Sequence, residues 1–230
     1  YPTIAQMEEI SRLFEGLPPV LKAMVGDVED FASAEGFLAS KFYTMTPIIL
    51  AIYGIMAGVA AVAGEEHRGT MDLLMSAPVP RWRMVVEKYA AFAVSLLAVL
   101  ALMYVGIIAG VLVTPEVQTT PARLLEATLN LAPVTLVFGS LTFFLSAVLP
   151  GRLPSGPIAA VVVVVSYAIY LFGEMSSAIA SIQGLTPFYY YGSRTLFDGL
   201  AWGNVLVLLA VSAVFLALSI LSFERRDLSV

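Results

Sequence analysis

Glu65, Glu66, His67 and Arg68 stand together in a chain that is otherwise sparsely charged, and Thr70 and Asp72 follow within a few residues. Residues of these types could move a proton, hold a metal ion or activate a nucleophile. Zinc asks for about three side-chain ligands, and a chain with one histidine and no cysteine can hardly supply them. A Ser-His-Asp triad needs a serine on a nucleophile turn near the histidine, and none accompanies His67. A loop that cradles phosphate ends in Gly-Lys-Ser or Gly-Lys-Thr. The lysines here are Lys22, Lys41 and Lys88, and none follows glycine. No catalytic residue, no metal site and no cofactor bound by this chain is expected. The cluster is placed to make contacts, not bonds.

The elements around it are membrane spans. Of the 230 residues 59% are hydrophobic and 13% charged, whereas a soluble domain is about half apolar and a quarter charged. Runs over residues 42–63, 89–113, 125–149, 157–173 and 205–222, uncharged but for Glu126 at the external end of the third, predict five spanning helices, each close to the length needed for a hydrocarbon core of about 30 Å. The expected fold class is an all-α integral membrane protein. The net charge of −5 is local: Glu8, Glu9, Glu15, Asp27, Glu29, Asp30 and Glu35 all fall in residues 1–41, a segment with apolar residues at helical spacing that reads as external and amphipathic. No basic patch points to nucleic acid. Residues 42–230 form the membrane domain, with 64–88 as its one long charged interruption.

Within that interruption Thr70 can cap a short helix whose first turn holds Asp72, where the helix dipole favours an anion. Pro78 and Pro80 end it. Met71, Leu73, Leu74 and Met75 cover more than one face of this helix, too much apolar surface to leave in water. Arg81, Trp82 and Arg83 then suit a chain re-entering a bilayer from the cytoplasmic side.

Glu65, Glu66, Arg68, Gly69, Thr70, Asp72, Leu73, Leu74, Ser76, Pro78, Val79 and Arg81 occur in the order and spacing of the cytoplasmic coupling segment of type-2 ABC transporter permeases, and residues 42–230 resemble that family throughout. The resemblance implies a permease subunit of an ATP-driven exporter. Its partners would be two copies of a separate ABC ATPase subunit, which hold the ATP and Mg, a second permease subunit and membrane lipid. It further implies that Glu65, Glu66 and Arg68 make polar contacts with the ATPase, that Leu73 and Leu74 fill its groove, and that Pro78 sets the turn. Such permeases have six spans and a cytoplasmic start, so a further N-terminal span is expected before Tyr1. Short external helices are expected before the last span, around Pro187, Phe188, Tyr189, Tyr190 and Tyr191.

Orientation follows from Arg and Lys in the short loops. With the coupling segment and the C-terminus inside the cytoplasmic membrane, Arg68, Arg81, Arg83, Lys88, Arg152, Arg225 and Arg226 are cytoplasmic, and the short external loops carry Arg123 and Arg194. Asn130, Thr135, Ser140 and Thr142 in the third span mark either a substrate path or hydrogen bonds between helices. Pro133 predicts a kink there. Two small-residue pairs, Gly54/Gly58 and Gly106/Gly110, are candidate packing seams. Uncharged spans suit a lipophilic or amphipathic cargo. Two other readings stand beside this one. A secondary transporter would place ionisable groups near the midplane, where the spans have none. An intramembrane enzyme is suggested because Glu65-Glu66 resembles the paired glutamates of CAAX-type proteases, a family that also wants a more distant arginine and further His and Asn residues.

Overall fold

A computed structural model of the chain describes residues 38–61, 80–113, 119–149, 155–173, 176–192 and 199–225. The described residues form helices and their connections. After a π-helical turn, Leu38–Tyr43, come α1 (Thr44–Ala61), α2 (Arg81–Val113), α3 (Pro121–Leu129), α4 (Leu131–Val148), α5 (Ser155–Gly173), α6 (Ser177–Gln183), α7 (Pro187–Tyr191) and α8 (Trp202–Arg225). Five spans are long and apolar enough to cross a membrane: α1, α2 from Trp82, α3 with α4, α5, and α8. Helix is what a lipid-embedded backbone requires, because each N–H and C=O must find its partner within the segment.

The helix ends follow local chemistry. α3 starts at Pro121 with Thr120 as N-cap, the Thr120 hydroxyl accepting from the Arg123 amide at 3.4 Å. Proline suits a first helical position because its missing N–H would be unpaired there anyway. The third span therefore begins at Pro121, ahead of the run expected over residues 125–149. α2 likewise begins at Arg81, directly after Pro80, so the charges of Arg83, Glu87 and Lys88 ride on its first turns and not on a loop. Between α3 and α4 the chain breaks at Asn130, three residues before Pro133, which has no N–H to give the Leu129 carbonyl. α4 stops at Leu149, whose extended backbone (φ −76°, ψ 134°) is what a residue ahead of proline prefers. Gly192, at φ +56°, ends α7 in a region side chains avoid.

α4 is the hub. It packs most extensively along α8 and α1 and also meets α2, α5 and α7. Gly54 and Gly58 bring α1 onto it: a Cβ at Gly54 would stand 3.1 Å from the Thr135 carbonyl oxygen, and one at Gly58 2.6 Å from Thr142 Cβ. Among the described residues, a Cβ at Gly106 or Gly110 on α2 would meet nothing within 4 Å. Of two identical spacings, one is a seam and the other lies open. Gly139 of α4 accepts the Phe92 ring of α2, and Tyr53, Tyr89, Phe92 and Phe143 form an aromatic cluster with centroids 5.5–6.2 Å apart.

Candidate functional site

The charged interruption joins α1 to α2. Glu65, Glu66, Arg68, Gly69, Thr70, Asp72, Leu73, Leu74 and Pro78, with His67, lie outside the described residues, as do residues 1–37. Arg81 is the first residue of α2. What the structure describes is the frame on which the segment hangs. Lys88 Nζ donates to the Ala61 carbonyl at 2.6 Å, tying the second turn of α2 to the last described residue of α1. A cation near carbonyls that point out of a helix is favoured by the helix dipole. Arg83 and Glu87, one turn apart on α2, pair at 2.7 Å but are more than half exposed, and Trp82 is exposed beside them. The entry to α2 thus has one side chain anchored to α1 and several that face outward.

Asn130, Thr135, Ser140 and Thr142 of the third span are all buried, the last three completely. Their hydroxyls turn back on α4 itself: Thr135 donates to the Leu131 carbonyl, Ser140 to Val137 and Thr142 to Phe138, at 2.8–3.0 Å. Asn130 does reach another element, donating from Nδ2 to the Tyr191 carbonyl at 2.6 Å. The hydroxyls therefore satisfy their own needs inside the bundle, and what they add to the α1 and α8 contacts is small size and close fit.

The other end of the bundle is held by a buried polar knot. Tyr191 donates from its hydroxyl to the Tyr43 carbonyl at 2.8 Å. That carbonyl is the one Pro47, four residues on, has no N–H to serve. The Tyr43 hydroxyl in turn sits 3.0 Å from the Thr128 hydroxyl, which donates to the Leu124 carbonyl. Burial, with Tyr43 and Tyr170 nearby, pushes the Tyr191 phenol well above its ordinary range, so it stays a donor. The aromatic run before the last span is accordingly split: Tyr189 is half exposed, but Phe188 and Tyr191 are core, with Phe188 against Phe138, Tyr167 and Tyr170. Gln183 of α6 closes the end of α5 through Nε2 to the Tyr170 carbonyl at 2.9 Å.

Sequence reasoning passed over Lys88, Tyr43 and Tyr191 as site-forming residues. The position of Pro47 could have pointed to the knot, since a proline inside a membrane helix leaves a carbonyl that something must serve. Nothing in the sequence singles out Ala61 as the partner of Lys88.

The family model described as multidrug efflux system permease Rv1217c, C-terminal domain, matches residues 5–224 of the chain. No curated protein matches it.

Proposed function

Because the chain belongs to the family of the multidrug efflux system permease Rv1217c, C-terminal domain, we propose that it is the permease subunit of a type-2 ABC exporter. It would lie in the cytoplasmic membrane and work with a second permease and two copies of an ATPase subunit that hold ATP and Mg. The observation that carries this reading is the ordered series Glu65, Glu66, Arg68, Gly69, Thr70, Asp72, Leu73, Leu74, Pro78 and Arg81, placed between two spans of an efflux permease. Closure of the ATPases pushes this segment from the cytoplasmic side. Lys88 passes the push to both α1 and α2, and the Gly54/Gly58 seam passes it from α1 to α4. The cargo is lipophilic or amphipathic, in keeping with uncharged spans, and Asn130, Thr135, Ser140 and Thr142 shape the helix against which its path opens.

Leu73→Asp and Leu74→Asp test the reading. Burying a leucine is worth roughly 1.5–3 kcal/mol, and an unpaired carboxylate in an apolar groove adds a desolvation cost. At about 1.4 kcal/mol per tenfold, the expected loss of ATPase affinity is about a hundredfold or more. The measurement is recovery of the ATPase with a tagged permease. Undiminished recovery with both variants, together with normal transport, would show that the segment merely rests on the inner leaflet.

A further inference from the structure

Three interruptions of helix meet at the end of the bundle away from the charged segment. The chain enters α1 through the π-helical turn Leu38–Tyr43, and Pro47 follows inside the helix. α3 gives way to α4 at Asn130. α7 runs for five residues and stops at Gly192, whose φ of +56° turns the chain out of the helix. Helices bend at π-turns, prolines and breaks of this kind, because the ladder of backbone hydrogen bonds is incomplete there. Each interruption, taken by itself, offers little resistance to bending.

The three are joined to one another by buried hydrogen bonds. Tyr191, the last residue of α7, donates from its hydroxyl to the Tyr43 carbonyl at 2.8 Å, where the π-turn meets α1. The Tyr191 carbonyl accepts from Asn130 Nδ2 at 2.6 Å, at the break between α3 and α4. The Tyr43 hydroxyl lies 3.0 Å from that of Thr128 and 3.4 Å from the Leu124 carbonyl, both on α3. These bonds close a circuit: π-turn to α3, the α3–α4 break to α7, and α7 back to the π-turn. Tyr43, Thr128, Asn130 and Tyr191 are all buried. Thr135, Ser140 and Thr142, farther along α4, bond to their own helix and so do not tie its motion to that of a neighbour.

We propose that this circuit couples the three interruptions into one hinge, with Tyr191 as its pin. Bending at the entry to α1 moves the Tyr43 carbonyl and with it the Tyr191 hydroxyl. The carbonyl of the same tyrosine holds Asn130, so the α3–α4 break must follow, or a buried polar group is left without its partner, which is costly. The three sites therefore open together and close together. The inference concerns motion within this chain and does not rest on the transport reading.

Hydrogen exchange of the full chain in detergent, followed by mass spectrometry, tests the coupling. Tyr191→Phe removes the bond to the Tyr43 carbonyl and leaves the Asn130 bond, which is to backbone. Amide exchange is then expected to rise by about three- to tenfold over residues 38–47, 128–133 and 187–191 together, the factor that loss of one neutral buried hydrogen bond gives an opening equilibrium. Tyr43→Phe cuts the circuit at its link to α3, keeps the carbonyl that Tyr191 serves, and should raise the same three stretches. Thr135→Val, which removes a hydroxyl bonded within α4, should raise none of them. With Tyr191→Phe, a rise confined to residues 38–47, or no rise at all, would overturn the proposal. An equal rise over α2 and α8 would overturn it as well, because general loosening of the bundle needs no hinge.

Discussion

The span made of α3 and α4 and the span made of α2 are both apolar enough to cross a bilayer, but 67% of an 18-residue stretch of the first is buried and 11% of the second. The buried one is the more polar. Asn130, Thr135, Ser140, Thr142 and Ser146 lie along it, while α2 shows Leu97, Leu102, Val105, Leu112 and Val113 to its surroundings. In water the ranking would be the reverse. In lipid there is no gain in hiding leucine from an equally apolar solvent, so small and hydroxyl-bearing residues, which pack closely and need partners, take the centre. α2 is held instead at a few points: Val85, Phe92, Leu96 and Leu100 in its first two-thirds, and the Lys88 tie.

The contrast is most sharply tested by the two glycine pairs. Gly58→Leu places carbon where Thr142 already stands, and overpacking of this severity is expected to cost at least about 3 kcal/mol, or roughly 6–12 °C in Tm for a chain of this size. Gly106→Leu, on the open face of α2, is expected to leave Tm within about 1 °C. Thermal unfolding of both variants in detergent is the measurement. An equal fall for Gly106→Leu would mean that another helix covers α2 in the purified protein.

The anchored end of α2 comes next. Lys88→Met removes a hydrogen bond from a charged donor, worth about 1.5–3 kcal/mol, while Lys88→Arg keeps the charge and much of the reach. With spin labels on the exposed Ala60 and Ala91, the distance distribution between α1 and α2 should broaden for Lys88→Met and stay narrow for Lys88→Arg. A distribution unchanged by Lys88→Met would leave α2 held by its aromatic contacts alone.

Tyr191→Phe tests the opposite end and is a smaller change, since a neutral hydrogen bond contributes about 0.5–1.5 kcal/mol net. It also has a pH signature. The Tyr191 phenol is raised in the folded protein by burial, so its contribution is fully present below the ordinary tyrosine value of about 10 and is lost as pH rises toward the folded value. Wild-type unfolding followed through this alkaline range should therefore show a decline that Tyr191→Phe reduces. An identical decline in the variant would assign it to other groups.

Much of this architecture was legible in the sequence. Uncharged runs mark five spans because lipid excludes charge at every turn of a helix, whatever face it lies on. The same uniformity hides the packing: Gly54/Gly58 and Gly106/Gly110 read alike, and only the partner helix separates them. Charge misleads at the ends, where Arg83, Glu87 and Lys88 look like loop but fit helix turns at the membrane surface. Polar residues in the third span did flag the hub, although as path or interhelical bonding; Asn130 donates to another helix, while Thr135, Ser140 and Thr142 donate within α4. The proposed contact residues from Glu65 to Pro78 are read from order and spacing alone.

The smallest expected effect concerns the outward side of the α2 entry. Arg83 and Glu87 are 58% and 59% exposed and one turn apart, and pairs of this kind contribute about 0.3–0.5 kcal/mol, screened by salt. Glu87→Gln should therefore leave the Tm of the isolated permease within about 1–2 °C and change it less at high salt. Lys88, on the next residue, is turned inward and ought to behave oppositely, with a loss that salt barely touches. If the ATPase binds against the cytoplasmic side of α2, Arg83 freed by Glu87→Gln faces that partner and the variant should alter recovery of the ATPase without altering the fold. Co-purification beside the melting curve separates the two consequences: a large loss of Tm would place Glu87 in the bundle, whereas unchanged Tm with changed recovery would place this turn at the partner surface.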